Sequence, residues 1–259
     1  MESANRFWLR WLVLLVMLFA TSISAQVTSN QQSTTAGEIV SSPVSIHGRP
    51  AIITIKELAD FEALPAVRKN LIEIAIALAA ESPWLPYLYG SADPAMGGLD
   101  CSGAMYYVMK RAGLTPPRSA AAQYCWFSQN LRLHLVAEDA VTDDHASLRW
   151  LKPGDLLFWS THETPVTTEH VNITHVAMYL GPETRDARKI MINATDGRSY
   201  RGVKANGYGI YDFRIAAKGS KSKLIGYGTP PGIPEIVLEP AVVPESSSRP
   251  QSGNAATDR

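Results

Sequence analysis

The chain has 259 residues, with 24 basic and 24 acidic side chains and a formal net charge of zero. That balance excludes an electrostatic drive toward nucleic acid or a strongly anionic surface. Two cysteines, Cys101 and Cys125, and six scattered histidines show no zinc-ligand spacing, so neither a metal nor another cofactor is expected.

In chain order, Arg6 and Arg10 flank the start of an apolar run over residues 11–20, which ends in Thr21-Ser22-Ile23-Ser24-Ala25. Residues 1–25 therefore read as a secretory signal peptide. The run falls short of the ~20 residues that a bilayer span requires. The mature protein is expected to carry no membrane span and to reside in the periplasm or the extracellular cell wall. Residues 26–42, rich in Ser, Thr, Gln and Asn, read as a flexible lead-in. Residues 229–259, dense in Pro, Ser and Gly, read as a disordered tail whose start, 230–234, can still lie against the domain. Between them a single domain, 43–228, is long enough to bury a proper core.

Within it, Val67, Leu71, Ile74, Ala75 and Leu78 recur at three- and four-residue intervals, which predicts a helix over 65–80 stopped by Ser82-Pro83. A loop containing Pro and Gly, 84–98, leads to a second helix. Its buried stripe is Ala104, Met105, Val108, Met109 and Ala112, with Gly113 as the C-terminal cap. From Lys152 onward the pattern is that of strands, over 156–159, 175–180, 190–194, 210–215 and 224–227. Pro153-Gly154, Gly181-Pro182 and Asn206-Gly207 read as the turns between them. Helices first and strands after argue for an α+β fold, with N-terminal helices packed on an antiparallel β-sheet.

Cys101 sits where the Met96-Gly97-Gly98 turn hands over to the second helix. Backbone N–H groups at a helix start favour a thiolate and are expected to lower the pKa of a sulfur held there. Export would put both cysteines in an oxidising compartment, where a Cys101–Cys125 disulfide is conceivable but would disable the nucleophile. Cys125, among Tyr124, Trp126 and Phe127, has the setting of a core thiol.

A cysteine nucleophile needs a base. His47, His134, His145, His162 and His170 lie in polar or irregular segments. His175 instead opens a strand whose Val176, Met178 and Leu180 can face the core, leaving His175, Ala177 and Tyr179 on the other face. A hairpin with 190–194 puts the pairing axis near 184–185 and brings 193–195 opposite His175. Asn193 can then share a face with His175, which gives a Cys-His-Asn triad of nucleophile, base and orienting amide.

Five blocks together carry a family resemblance: Pro86-Tyr87-Leu88-Tyr89-Gly90, Leu99-Asp100-Cys101-Ser102-Gly103, Pro117-Arg118 with Gln123, Lys152-Pro153-Gly154-Asp155-Leu156, and Thr174-His175-Val176-Ala177-Met178-Tyr179-Leu180-Gly181. In this order they resemble the NlpC-type papain-like cysteine peptidases of bacterial cell walls, over roughly residues 70–227. The resemblance implies a papain-like fold, with Cys101 as nucleophile, His175 as base and Asn193 as the orienting group. It implies action on peptidoglycan stem peptides, with the bond between D-glutamate and a diamino acid, commonly diaminopimelate, as the leading target; the protein is expected to be a monomer.

Tyr87 would bring its hydroxyl near the nucleophile to assist the oxyanion. Asp100 would support the helix start or the cleft, and Ser102, Arg118 and Gln123 would line or brace the cleft. Asp155 would shape its own turn. Leu85 and Ser91 stand where the family commonly has Gly, and Asn193 where it most often has His. Longer segments at 128–150 and 160–172 are expected to reshape the cleft walls. Two other readings stay open: a sugar–peptide amidase or acyltransferase of the same superfamily, and a catalytically silent wall-binding protein. The intact Cys101, His175 and Asn193 argue against silence.

Overall fold

The computed structural model describes residues 47–81, 84–161, 172–216 and 221–235. The expected signal peptide (1–25) and lead-in (26–42), the Ser82-Pro83 stop, His162, His170 and the tail beyond 235 lie outside the described residues. Among the described residues, no helix is long and apolar enough to cross a membrane.

Helices α1 (Ala66–Glu81), α2 (Cys101–Arg111) and α3 (Ala120–Gln129) precede the strands β1 (Leu133–Leu135), β2 (Leu156–Thr161), β3 (Ile173–Pro182), β4 (Lys189–Tyr200), β5 (Val203–Asp212) and β6 (Ser222–Gly228). The strands form one sheet in the order β1-β6-β2-β3-β4-β5, antiparallel at every pairing. The expected α+β class, helices on an antiparallel sheet, is what forms.

One face of the sheet packs on the helices: Leu156, Phe158, Val176, Met178, Ile190 and Ile192 meet Leu71, Ala104, Met105 and Val108 in a single core. The opposite face is also covered, with Leu157, Trp159, Tyr179, Met191 and Tyr227 under Val136, Ala140 and Leu148. Strands buried on both faces have no reason to alternate, which is why β2 and β3 read as near-continuous apolar runs. Residues 128–150, expected to reshape the cleft walls, instead complete α3, form β1 and supply this second cover.

Helix α1 buries the expected Leu71, Ala75 and Leu78, but its buried face is broader, taking in Ile72 and Ile76, and differs at the helix start. Val67 is 42% exposed, whereas Arg68 is 1% exposed. The guanidinium reaches Asp155 and the Pro153 carbonyl, both at 2.8 Å, and donates to the Thr229 hydroxyl. A buried cation is tolerated there because its charge and most of its donors are matched. Asp155 also accepts from Lys152 N at 2.9 Å, so it shapes its turn and anchors α1 together. Thr229, Pro230, Pro231 and Ile233 are buried against the domain.

Two expected turns lie inside strands. Gly181-Pro182 belongs to β3, at a bulge between Tyr179 and Gly181. Asn206-Gly207 sits within β5, opposite Asp196 and Thr195, and the β4–β5 turn is Arg201-Gly202. Both of those residues have positive φ, 51° and 83°, as a two-residue hairpin turn demands. Strand β5 therefore starts earlier than the expected 210–215. The Asn-Gly pair serves another purpose: a Cβ on Gly207 would lie 2.4 Å from the Leu85 carbonyl oxygen. Asn206 Oδ1 accepts from Tyr87 N at 3.0 Å, and its carbonyl accepts from Trp84 Nε1 at 3.0 Å. Strand β5 thereby fixes the loop that carries Tyr87.

Candidate active site

The segment before Cys101 runs beside the Tyr87 loop. Tyr87 and Leu99 form a parallel bridge, with Leu88 N donating to Leu99 O at 3.0 Å and Leu99 N to Pro86 O at 3.1 Å. Asp100 then caps α2: its carboxylate accepts from Gly103 N at 2.6 Å, from Gly90 N at 2.9 Å and from Ser102 Oγ at 3.2 Å. Arg118 closes the cap from the other side, at 2.8 and 3.2 Å from the two carboxylate oxygens. Gly103 permits this packing, since a Cβ there would lie 2.0 Å from the Ser91 carbonyl oxygen.

The expected cleft residues divide by exposure. Ser102 is buried and accepts from Arg118 Nη1 at 3.0 Å. Gln123 is fully buried, with Nε2 donating to Ser102 O at 3.0 Å and Pro117 O at 3.1 Å, so it braces the wall from behind and meets no solvent. Arg118, with 37% of its side chain exposed, and half-buried Tyr87 remain reachable from outside.

Cys101 is 8% exposed and carries a free thiol, as does half-buried Cys125. The backbone N–H groups of Val176, Ser102 and Cys101 itself lie against the Cys101 sulfur and favour its thiolate. Burial outweighs them, and with the nearby Asp100 charge it holds the thiol above its ordinary range. The expectation of a thiolate preformed by the helix start is therefore overturned: the N–H groups are in place, but desolvation wins.

Val176 follows His175, so the sulfur rests against the strand that carries the imidazole. The β3–β4 register, Met178↔Ile192 and Tyr179↔Met191, matches the expected axis. It brings the fully buried Asn193 to the ring, with the amide nitrogen Nδ2 meeting His175 Nε2. Asn193 Oδ1 is buried without a partner. Burial first, and then the charge of Arg198, hold the His175 pKa well below the usual imidazole range. At neutral pH both thiol and imidazole are thus uncharged.

The ring of His175 also packs on Trp159, with centroids 5.5 Å apart. Tyr87 is pushed up to about 12 by burial first and then by its acidic neighbours Cys101 and Asp100, so its hydroxyl stays protonated and able to donate. The other described histidines have structural partners: His47 binds Asp196 at 2.7 Å, His134 stacks on Tyr227 and His145 turns to Ser147.

Arg198 is the residue that sequence reading missed. Its guanidinium lies 4.5 Å over the Trp159 ring, and its charge is felt at both His175 and Cys101. Counting alternate residues from Asn193 could not find it. Strand β4 shifts register between Asp196 and Ser199, and Gly197 there has φ 86°.

Comparison with known proteins shows what the chain is similar to. Over 126 residues the chain is 30% identical to proteins named "Probable endopeptidase p60" from Listeria monocytogenes and Listeria seeligeri, covering 48% of this chain and 19% and 18% of theirs. The chain thus spans about a fifth of the length of these curated relatives. Among solved structures, an NLP/P60 family protein from Staphylococcus aureus is 20% identical, with 70% of this chain and 43% of that one covered and a TM-score of 0.36. The peptidoglycan hydrolase RipB from Mycobacterium tuberculosis is 20% identical, with 64% and 69% covered and a TM-score of 0.35. The sequence profile of the NlpC/P60 family matches residues 85–214, half of the chain, from the loop before Tyr87 to the end of β5 and just beyond, and the protein belongs to that family.

Proposed function

We propose that the protein is an exported cysteine endopeptidase that hydrolyses an amide bond in peptidoglycan stem peptides, with Cys101 as nucleophile, His175 as base and Asn193 as the residue that orients the imidazole. The observation that carries this reading is the pairing of the Asn193 amide with His175 Nε2, on a strand whose next residue, Val176, touches the Cys101 sulfur. With Nε2 engaged by Asn193, Nδ1 is the nitrogen left to take the thiol proton. A half-turn of the amide sets Oδ1 as acceptor for Nε2–H, which gives Oδ1 the partner it lacks and holds the required tautomer.

The chemistry starts from a neutral pair. Substrate arrival displaces water, the thiol proton passes to His175 Nδ1, and the sulfur attacks the carbonyl carbon. Backbone N–H groups at the start of α2 and the Tyr87 hydroxyl are the donors for the oxyanion. The imidazolium then protonates the leaving amine, and neutral His175 activates water to hydrolyse the thioester. Arg118, pinned by Asp100, and Tyr87 form the acyl-side wall. The bond between D-glutamate and the diamino acid is the proposed target, and residues 1–25 the proposed export signal.

The test is to incubate the protein with purified peptidoglycan and identify the released fragments by mass spectrometry. Fragments ending in D-glutamate, lost in Cys101→Ala, are expected. Release of intact stem peptides would instead assign the sugar–peptide junction, and equal behaviour of both proteins with no release would overturn catalysis.

A further inference from the structure

A cavity of about 400 Å³ opens between β4, β5 and the ends of β2 and β6, and Trp159, which packs on His175, forms part of its wall. Trp159, Arg198, Lys204 and Arg214 line it, with Asp196 and Asp212 as its acids. Both acids already have partners. His47 holds Asp196 at 2.7 Å, while Arg188 at 3.4 Å, Arg214 at 3.1 Å and the Arg201 N–H at 3.2 Å share Asp212. Among the described residues, no carboxylate lies within ion-pair distance of Arg198; its guanidinium carbon lies 4.5 Å from the centroid of the Trp159 ring. Burial depresses its pKa to about 10, so the cation sits in a poorly solvated position that an anion would relieve.

The same Trp159 ring packs against His175, which links the cavity to the proposed site through one side chain. His175 delivers its proton to the leaving amine, so the residue that departs as the amine must lie on this flank of the cleft. A guanidinium held over an aromatic ring keeps N–H groups available, and its planar fork can bind a carboxylate with two parallel hydrogen bonds.

We infer that the Arg198 cavity is the leaving-group subsite, in which the guanidinium binds a carboxylate of the amino acid on the amine side of the scissile bond. The inference rests on the peptidase reading and adds to it a specificity determinant: a free carboxylate on the leaving residue is selected over its carboxamide. Lys204, exposed at the cavity rim, adds positive charge for the approach of the anion.

Binding to the Cys101→Ala chain, which cannot turn over, tests the subsite apart from catalysis. The probes are the tripeptide L-alanyl-γ-D-glutamyl-diaminopimelate and the same peptide with both diaminopimelate carboxyls converted to carboxamides, titrated by calorimetry. The carboxylate form is expected to bind at least ~10-fold more tightly, a preference that shrinks as salt is raised. Adding Arg198→Met brings the two forms within ~2-fold, and Arg198→Gln, which keeps a planar group on Trp159, does the same and guards against a folding defect. Equal binding of the two peptides by the Cys101→Ala chain, or a preference that survives both Arg198 variants, would overturn the subsite. Selective carboxylate binding without peptidoglycan cleavage by the unmutated chain would keep Arg198 as a carboxylate site but overturn the peptidase and, with it, the leaving-group role of the cavity.

Discussion

Asp100 combines two effects on the nucleophile that substitution can separate: its hydrogen bonds build the start of α2, while its charge raises the Cys101 thiol. Asp100→Asn keeps an N-cap acceptor for Gly103 N–H but removes the charge and leaves Arg118 beside Ser102 without its carboxylate. Both changes favour the thiolate. The rate of alkylation by iodoacetamide, followed against pH, should therefore show its midpoint at lower pH than in the unmutated protein. Asp100→Ala loses the cap as well, ~1 kcal/mol, and strands the Gly90 N–H that the carboxylate accepts at 2.9 Å, another ~1 kcal/mol or more. The Arg118 pair, whose cation is more than a third exposed, adds only ~0.5–1 kcal/mol. A total of ~3 kcal/mol should appear in urea denaturation, against ~1 kcal/mol for Asn.

The pH dependence has a definite sign. Burial alone would raise the Asp100 carboxyl, but the bonds from Arg118 and Gly103 N–H outweigh it and hold its pKa below the ordinary value. A depressed folded pKa contributes stability that is present above the unfolded value of ~3.9 and lost as pH falls through the folded one. Asp100→Asn should thus narrow the acid loss of stability below about pH 4. A thiol midpoint that stays or rises in Asp100→Asn, or a cost under ~1 kcal/mol for Asp100→Ala, would refute the separation of charge from cap.

Three further outcomes are expected. His175→Ala should abolish peptidoglycan hydrolysis while Asn193→Ala slows it less, because the amide orients the ring and transfers no proton; equal losses by fragment release would move Asn193 into the proton path. The acid limb of kcat/KM should lie below the ordinary imidazole value of ~6.5, and Arg198→Met should move it to higher pH by removing a cation that opposes imidazolium; a limb that stays put or moves down would contradict the placement of that charge. Arg68→Met leaves Asp155 charged and buried without its partner, so thermal and urea unfolding should record a loss of ~3–5 kcal/mol, and a loss below ~1 would mean that Asp155 neutralises at little cost.

How much of this was legible in the sequence depended on whether a signal was local. Helix α2 was: Asp100 as cap, the expected apolar stripe buried through Met109, with Ala112 half-buried as the C-cap, and Gly113 in the left-handed conformation, with Leu114 N donating back to Met109 O. The β3–β4 register was too, because it followed from two-residue alternation across a short hairpin. What failed depended on distant partners. Arg68 looks like a solvated charge until Asp155 and Thr229, far along the chain, are brought beneath it. Asn206-Gly207 has the composition of a hairpin turn but is selected by the close approach of Leu85. Helix α3 escaped notice because Gln123 is one of its buried residues, and its reason for burial is the carbonyl of Ser102 on α2. Arg198 was hidden by an irregularity in β4 that no pattern announces.

The electrostatics of the proposed site explain why the nucleophile is built from a buried thiol on a helix start. Burial raises Cys101 and lowers His175, so the proton stays on sulfur until substrate arrives. The N–H groups of Val176, Ser102 and Cys101 do not create the anion in advance. They wait where negative charge develops, and interactions that strengthen only as the reaction proceeds lower the barrier and not the resting energy. A protonated and nearly inaccessible thiol is also a slow target for oxidants, which attack the thiolate, so the same burial suits a lone nucleophile in the oxidising compartment proposed for it. Asp100 works against the thiolate, yet it caps α2 and pins Arg118; Arg198 lends the positive charge that partly offsets it. On the proposed reading, Cys101 is set on its helix by one charge, the Asp100 carboxylate, and favoured as an anion by another, the Arg198 guanidinium assigned to the leaving group.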